Sequence, residues 1–268
     1  MKATRPVWAV SIAVVVMFVQ ALCGPLIVSL LTDGILAATL SAVSVTLVSL
    51  ALVDVVRRFL GRQSWSGVRL TWSWSAAWQA IAGLLAGAVA VASAKAAAVA
   101  LGLTDWVPWW EPARDMLPYL PLALAIPVLN QAFPEELLWR GHLYDTLSAR
   151  LSTRAVVITV TAVFGALHVI SQSPADTLAE KALYVVMAAA LGFACTVARM
   201  RSGAVWMAVG VHGGFHVGLR LAFTQDAGFA AQMVLMTAAL VLAAWVIDLV
   251  YRARAGREPA PAPQPVRK

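Results

Sequence analysis

Eight apolar runs follow one another along the chain, each near or above the roughly 20 residues that a helix needs to cross a hydrocarbon core of about 30 Å. They cover residues 7–31, 35–56, 75–103, 116–148, 155–171, 179–198, 203–223 and 227–251. Gly24-Pro25 predicts a kink in the first run, and Thr32-Asp33-Gly34 a tight turn into the second. The third is rich in Ala and Gly, which favours close helix packing. The fourth is long enough to cross and then continue along the membrane surface. The connector at 57–74 carries Arg57, Arg58, Arg62 and Arg69 among Trp65, Trp72 and Trp74; that at 104–115 carries Trp106, Trp109 and Trp110 with Pro108 and Pro112. Both predict interfacial segments with aromatic anchors. The expected fold is all-α, a polytopic membrane helix bundle of about eight transmembrane helices.

Composition agrees with that pattern. Hydrophobic residues make up 61% of the chain and charged residues 12%, with a mean hydropathy of +0.79; soluble domains are about 45–50% apolar and about 25% charged. The net charge of +7 does not indicate nucleic acid, because the basic residues are scattered between apolar runs instead of clustering in one groove. Their distribution instead orients the bundle, since cytoplasmic loops collect Lys and Arg. With the N-terminus inside, fifteen fall on the cytoplasmic side (Lys2, Arg5, Arg57, Arg58, Arg62, Arg69, Arg150, Arg154, Arg199, Arg201, Arg252, Arg254, Arg257, Arg267, Lys268) and three outside (Arg114, Lys181, Arg220). Both termini are therefore expected in the cytoplasm of a bacterial plasma membrane, with some attraction to anionic lipid. Lys95 and Arg140 lie within runs; Lys95, near one end, predicts a snorkelling side chain, with a functional partner as the alternative.

The first apolar run is too long for a signal peptide, and no small residue precedes Cys23 as a lipoprotein cleavage site would need, so an uncleaved first span is expected. Cys23 and Cys195 sit inside apolar runs and predict packing residues, not a disulfide framework. Residues 1–251 form the expected transmembrane bundle. The tail 252–268, with Pro259, Pro261, Pro263 and Pro265 between basic ends, is expected to be a disordered cytoplasmic extension.

Against this apolar background, Phe133-Pro-Glu-Glu-Leu-Leu-Trp-Arg-Gly-His142 stands out. An ionisable group at membrane depth costs roughly 2.5–3.5 kcal/mol on insertion scales, so it persists where it meets a partner or a water-filled cavity. Glu136 and Arg140 are four apart and can pair along one helical face, while Glu135 is rotated by about 100° and points elsewhere. One glutamate is neutralised and the other left free to react. The four histidines, His142, His168, His212 and His216, all lie in or beside the later runs. At a rise of about 1.5 Å per residue, Glu135, His168, His212 and His216 sit roughly 16–23 Å from their flanking cytoplasmic arginines. Three helices thus bring a carboxylate and imidazoles to a common depth. His142 predicts an interfacial histidine nearer the surface, Phe164 a packing residue that shapes the site, and Asn130 and Gln131 either cavity lining or helix-to-helix hydrogen bonds.

Glu135-Glu-Leu-Leu-Trp-Arg140 fits an EExxxR motif, Phe164-Gly-Ala-Leu-His168 an FxxxH motif, and His212 a third motif, in this order. In these features the chain resembles the CAAX protease and bacteriocin-processing (Abi) family of intramembrane endopeptidases, with a protease-like core at about 116–223. The family pattern places Asn four residues after the third-motif histidine, where this chain has His216. Histidine can still donate to an oxyanion, and the resulting HxxxH spacing can also hold a metal.

The resemblance implies hydrolysis of peptide bonds in membrane-associated peptides, prenylated or precursor, with the substrate and the bilayer as partners. In a metal-free version Glu135 activates water, His168 orients it and shares its proton, His212 and His216 stabilise the oxyanion, and the Glu136–Arg140 pair holds the helix geometry. In a metalloprotease version Zn2+ is ligated by His168, His212 or His216, and Glu135. Two other classes stay open: a proton-coupled transporter, since midplane carboxylates and histidines also make proton relays, and a non-catalytic membrane scaffold.

Overall fold

The computed structural model describes residues 5–108, 110, 117–225 and 227–255. Trp109, Pro112 and Arg114 of the second connector, and the tail from 256 on, lie outside the described residues. The described residues are helical apart from their connectors. In chain order the long helices are α1 (Pro6–Ser29), α2 (Gly34–Val55, continued by a widened turn Val56–Gly61), α3 (Trp74–Ala100), α4 (120–148), α5 (Thr153–Leu167), α6 (Leu178–Ser202), α7 (Trp206–Leu221) and α8 (Phe229–Ala255). Their starts follow from local chemistry. Ser73 and Ser152 each accept a main-chain N–H of the first turn of α3 and α5, and Thr177 with Glu180 forms a capping box at α6, satisfying donors that have no partner inside the helix.

Among the described residues, five helices are long and apolar enough to cross a membrane: α1, α2 with its extension, α3, α6 and α8. Leu26, Leu36, Leu47 and Leu85 are among the large apolar side chains they leave exposed, the surface that lipid requires. The other apolar runs are interrupted or shorter. α5 has 15 residues and α7 has 16, below the roughly 20 of a full crossing, and α4 is built from alternating α and π turns. α8 also continues to Ala255, into the segment expected to be disordered, where Arg252 Nε lies 2.7 Å from Asp248.

Two apolar cores meet at α4. One joins α3, α6, α7 and α8 around Val91, Cys195, Ala198, Val211 and Leu240; the other joins α1, α2, α4 and α5 around Ala13, Val53, Leu137, Trp139 and Val160. The α3–α7 contact is backbone to backbone. A Cβ on Gly83 or Gly87 would meet the carbonyl of Met207 or Val211, and one on Gly210 or Gly214 the carbonyl of Ala80 or Leu84. Glycine at these four positions lets the helices approach. His212 and His216 are each two residues on from Gly210 and Gly214, rotated by about 200°, so the face away from α3 carries the imidazoles.

The ends of the bundle differ in charge. At one end Arg57 and Asp145 pair at 2.8 Å, Val205 N donates to Arg69 O, and Arg201 pairs with Asp248. At the other, Val107 N donates to Phe223 O, Gln225 N to Asp105 O, and Lys95 Nζ reaches Thr224 Oγ1 at 3.2 Å. Lys95 thus has a protein partner at its end of the bundle. The first connector is drawn into the protein more than an interfacial segment would be. Arg57 is 1% exposed and is held by Asp145 and the Ser64 carbonyl, because a guanidinium without water needs acceptors on its fork. Trp65 is likewise tied to Asp54, whereas Trp72 and Trp74 are exposed.

α4 departs from a regular helix at Val128–Ala132 and Leu137–Leu143, where the turns are π-helical. Phe133 N–H goes to Val128 O, and Pro134 has no N–H to give. Leu129 O is thereby left without those two donors, and the Thr46 hydroxyl of α2 supplies one; Ser49 reaches Pro134 O at 3.3 Å. Thr46→Val should leave that carbonyl unpaired and lower stability by about 1–3 kcal/mol, read as a drop in the unfolding temperature of the protein in detergent.

Candidate active site

Glu135 and Glu136 occupy the single α turn Phe133–Glu136 between the two π turns. π turns inside α-helices are rare and recur at functional sites. The first follows from the proline. The second frees the Arg140 carbonyl, because Tyr144 N–H goes to Trp139 O; Arg199 Nε donates to Arg140 O at 3.0 Å instead.

The two glutamates have different surroundings. Glu136 is fully buried, and its Oε1 accepts from Arg140 Nη1 at 3.0 Å and faces His212 Nδ1 at 2.9 Å. Arg140, also fully buried, gives two further donors to Gly192 O and Thr196 Oγ1 and lies over the Phe164 ring at 4.6 Å. Gly192 makes this possible: a Cβ there would come within 2.8 Å of Phe164 Cδ1 and 3.0 Å of Arg140 Nη2. Gly192→Ala should displace the guanidinium and destabilise the fold by about 1–3 kcal/mol, with a parallel loss of any activity that depends on the Glu136–Arg140 geometry; thermal unfolding and turnover measured together check both.

Glu135 lines two cavities at once. One, about 670 Å³, lies between α1, α2, α4 and the α5–α6 connector; the other, about 280 Å³, lies between α4, α6, α7 and α8. Gln131, His168 and Tyr184 share both walls with it. His168 follows the last residue of α5, and the shortness of that helix is what places it inside the bundle. Its Nδ1 is 2.8 Å from Phe164 O; a carbonyl only accepts, so Nδ1 carries the proton and Nε2 keeps its lone pair.

His212 and His216 line the smaller cavity, their rings stacked at 5.2 Å. His212 Nδ1, facing the Glu136 carboxylate, is the donor of that pair, which leaves Nε2 as the free nitrogen. His216 Nε2 is buried without a hydrogen-bond partner among the described residues. Phe164 packs between these groups, lying 4.9 Å from His168, 6.1 Å from His212 and 6.2 Å from Trp139, centroid to centroid.

The structure therefore brings Glu135, Glu136, Arg140, His168, His212 and His216 to one region. His142 is not part of it. Instead of lying at the interface, it is 3% exposed, on the far side of the motif near Arg57 and Asp145, because the second π turn rotates it into the protein. Asn130 and Gln131 do line the larger cavity. Sequence reasoning did not find Gly192, Cys195 and Thr196 on α6, which have no motif of their own. Only the i, i+4 spacing of Gly192 and Thr196 hints at a shared face. The apolar wall from α8, with Met233 and Met236, was equally silent.

Among the described residues, the group of possible metal ligands within 4.8 Å of one another is Glu136, Cys195 and His212. It does not suit a zinc ion well: Glu136 Oε1 already carries the Arg140 guanidinium, a cation competing for the same charge. Glu135, His168 and His216 are not in that group.

Residues 117–218, from the start of α4 to α7 just past His216, match the family model described as Type II CAAX prenyl endopeptidase Rce1-like. That stretch of the chain is similar to the type II CAAX prenyl endopeptidases. No curated protein matches it. With its long apolar helices the chain is a multi-pass integral membrane protein, and the matched stretch contains all three motifs.

Proposed function

We propose that the protein is an intramembrane endopeptidase in which Glu135 activates the attacking water. The observation that supports this most is the separation of the adjacent glutamates: Glu136 is sealed against Arg140 and His212, while Glu135 stands at the junction of two cavities beside His168. In this reading the water oxygen attacks the scissile carbonyl as Glu135 takes its proton. His168 accepts a hydrogen bond from the same water through Nε2, its ring fixed by the Phe164 carbonyl. The tetrahedral oxyanion is met by a histidine N–H. His216 can supply one from neutral imidazole, its Nε2 being free of other partners among the described residues; His212, with Nδ1–H already given to Glu136, can supply one from Nε2 only as imidazolium. The C–N bond then breaks, and the proton held by Glu135 and His168 passes to the leaving amine. Glu136 and Arg140 position His212 and do not touch the water.

The bundle is read as eight spans with both termini in the cytoplasm, α4, α5 and α7 crossing as shorter or interrupted helices sheltered by the others. Residues 1–251 form the bundle, with the catalytic core at 116–223 and a basic, Pro-rich extension at 252–268. The substrates are membrane-associated peptides, prenylated or precursor. A zinc-dependent variant through His168, His212 or His216 and Glu135 is the second reading, favoured only by the HxxxH spacing.

Purified protein in proteoliposomes, incubated with a library of membrane-anchored peptides with and without a chelator, tests the proposal. New C-termini detected by mass spectrometry at equal rates in both conditions are expected. No cleavage of any member would overturn the endopeptidase reading, and loss of cleavage on chelation would replace it with the zinc version.

A further inference from the structure

Both cavities that reach Glu135 lie in the same half of the bundle. The larger is walled by the second half of α1, the first half of α4 and the connector that follows α5; the smaller by α6 as far as its middle at Leu191, the first half of α8 and the second half of α7. These segments all lie at the end where Asp105, Phe223 and Thr224 meet. Toward the other end the site is closed. Leu137, Leu138, Trp139, Leu143 and Leu147 are fully buried beneath it, and the Arg57–Asp145 pair and the Arg199–Arg140 carbonyl bond lie below them.

That closed end is the arginine-rich one. Among the described residues it gathers Arg5, Arg57, Arg58, Arg62, Arg69, Arg150, Arg154, Arg199, Arg201, Arg252 and Arg254, against Lys95, Lys181 and Arg220 at the open end. The acidic ones among the described residues are nearly balanced, with Asp33, Asp105, Asp176 and Glu180 at the open end and Asp54, Asp145 and Asp248 at the closed one. Eleven against three is the asymmetry that fixes orientation in a multi-pass protein, the basic side facing the cytoplasm. The mouth also carries a fixed cation. Lys181 Nζ is tied to Ser171 O and, at 3.0 Å, to Ser173 Oγ, and it borders a shallow depression of about 510 Å³ adjoining the larger cavity.

We infer that the site is loaded from the extracytoplasmic face, so that its substrates are exported or membrane-anchored polypeptides whose scissile bond lies at the outer leaflet, not C-termini presented from the cytoplasm. The inference rests on the proposed endopeptidase reading for the word substrate, and on charge and cavity placement for the direction. A cytoplasmic polypeptide would have to pass the sealed Leu137–Leu147 layer to reach Glu135, whereas an exported one meets the open mouth, with apolar walls for its anchor and Lys181 for an acidic or terminal carboxylate group.

Cysteine accessibility reads the direction independently of catalysis. In a Cys23→Ala background, with Cys195 buried, Gln172→Cys at the mouth and Arg62→Cys at the closed end are exposed in turn to a membrane-impermeant maleimide. In intact cells Gln172→Cys should label fully and Arg62→Cys only after permeabilisation. The reverse pattern would overturn the inference. A third variant, Ser173→Cys, guards against a misfolded Gln172 variant. A cleavage arm separates the two claims: right-side-out vesicles given the externally added peptide library should cleave, and inverted vesicles should lose cleavage. Labelling as expected with no cleavage in either orientation would refute the endopeptidase reading while leaving the direction established; cleavage by inverted vesicles alone would refute the direction.

Discussion

Glu135→Gln is expected to abolish cleavage while leaving the unfolding temperature close to that of the wild type. The amide keeps the size of the side chain and its place in both cavity walls, but it cannot take a proton from water. General-base contributions of about 10²–10⁴-fold set the scale of the loss, and the high activation barrier of amide hydrolysis gives an unassisted water little chance. The structural cost should be small because Glu135 holds no ion pair among the described residues; the pairing falls to its neighbour. A turnover assay on the detergent-purified variant beside a thermal melt reads both halves of the expectation.

Arg140→Met is expected to act in the opposite sense, through the fold. The guanidinium is fully buried and serves Glu136, Gly192 O and Thr196 at once. Its removal takes away the one guanidinium that faces the Glu136 carboxylate among the described residues, in a place where Oε2 already has no hydrogen-bond partner among them. Breaking a buried pair by deleting one member costs about 3–5 kcal/mol, enough to unfold a marginal protein. Lysine at this position should rescue little, since a point charge cannot reproduce the fork that bridges α4 and α6. A double variant, Arg140→Met with Glu136→Gln, should lose less than the sum of the single losses, because it removes both members of the pair. Thermal unfolding of the four proteins measures that coupling.

Much of this site was legible in the chain because its parts obey simple spacing. The i, i+4 offset of Glu136 and Arg140 predicts their pairing from helix geometry alone, and the structure places them 3.0 Å apart. Counting helical rise from the flanking arginines brings Glu135, His168, His212 and His216 to one depth without knowledge of the fold. The helix boundaries follow equally well where apolar runs end in turn or capping residues, as at Thr177 and Glu180. What could not be read was irregular or long-range. The π turns of α4 depend on Thr46, Ser49 and Arg199, residues distant in sequence, to accept the consequences of a widened backbone. Periodicity places His142 at an interface because it assumes an unbroken helix. Arg57 looks like an ordinary loop charge until Asp145, 88 residues on, is folded against it. Gly192, Thr196 and Cys195 resemble the small residues of any membrane helix, and only the arginine that reaches them from α4 gives them a role.

The unequal division of work between two adjacent carboxylates is the centre of the account. Glu135→Gln and Glu136→Gln, each measured for turnover of the same membrane peptide and for unfolding temperature, test it most directly. A crossed result is expected: Glu135→Gln inactive with a wild-type melt, and Glu136→Gln with a clearly lowered melt and residual turnover in the fraction that remains folded. Wild-type turnover by Glu135→Gln, or complete inactivity of Glu136→Gln at an unchanged unfolding temperature, would contradict it.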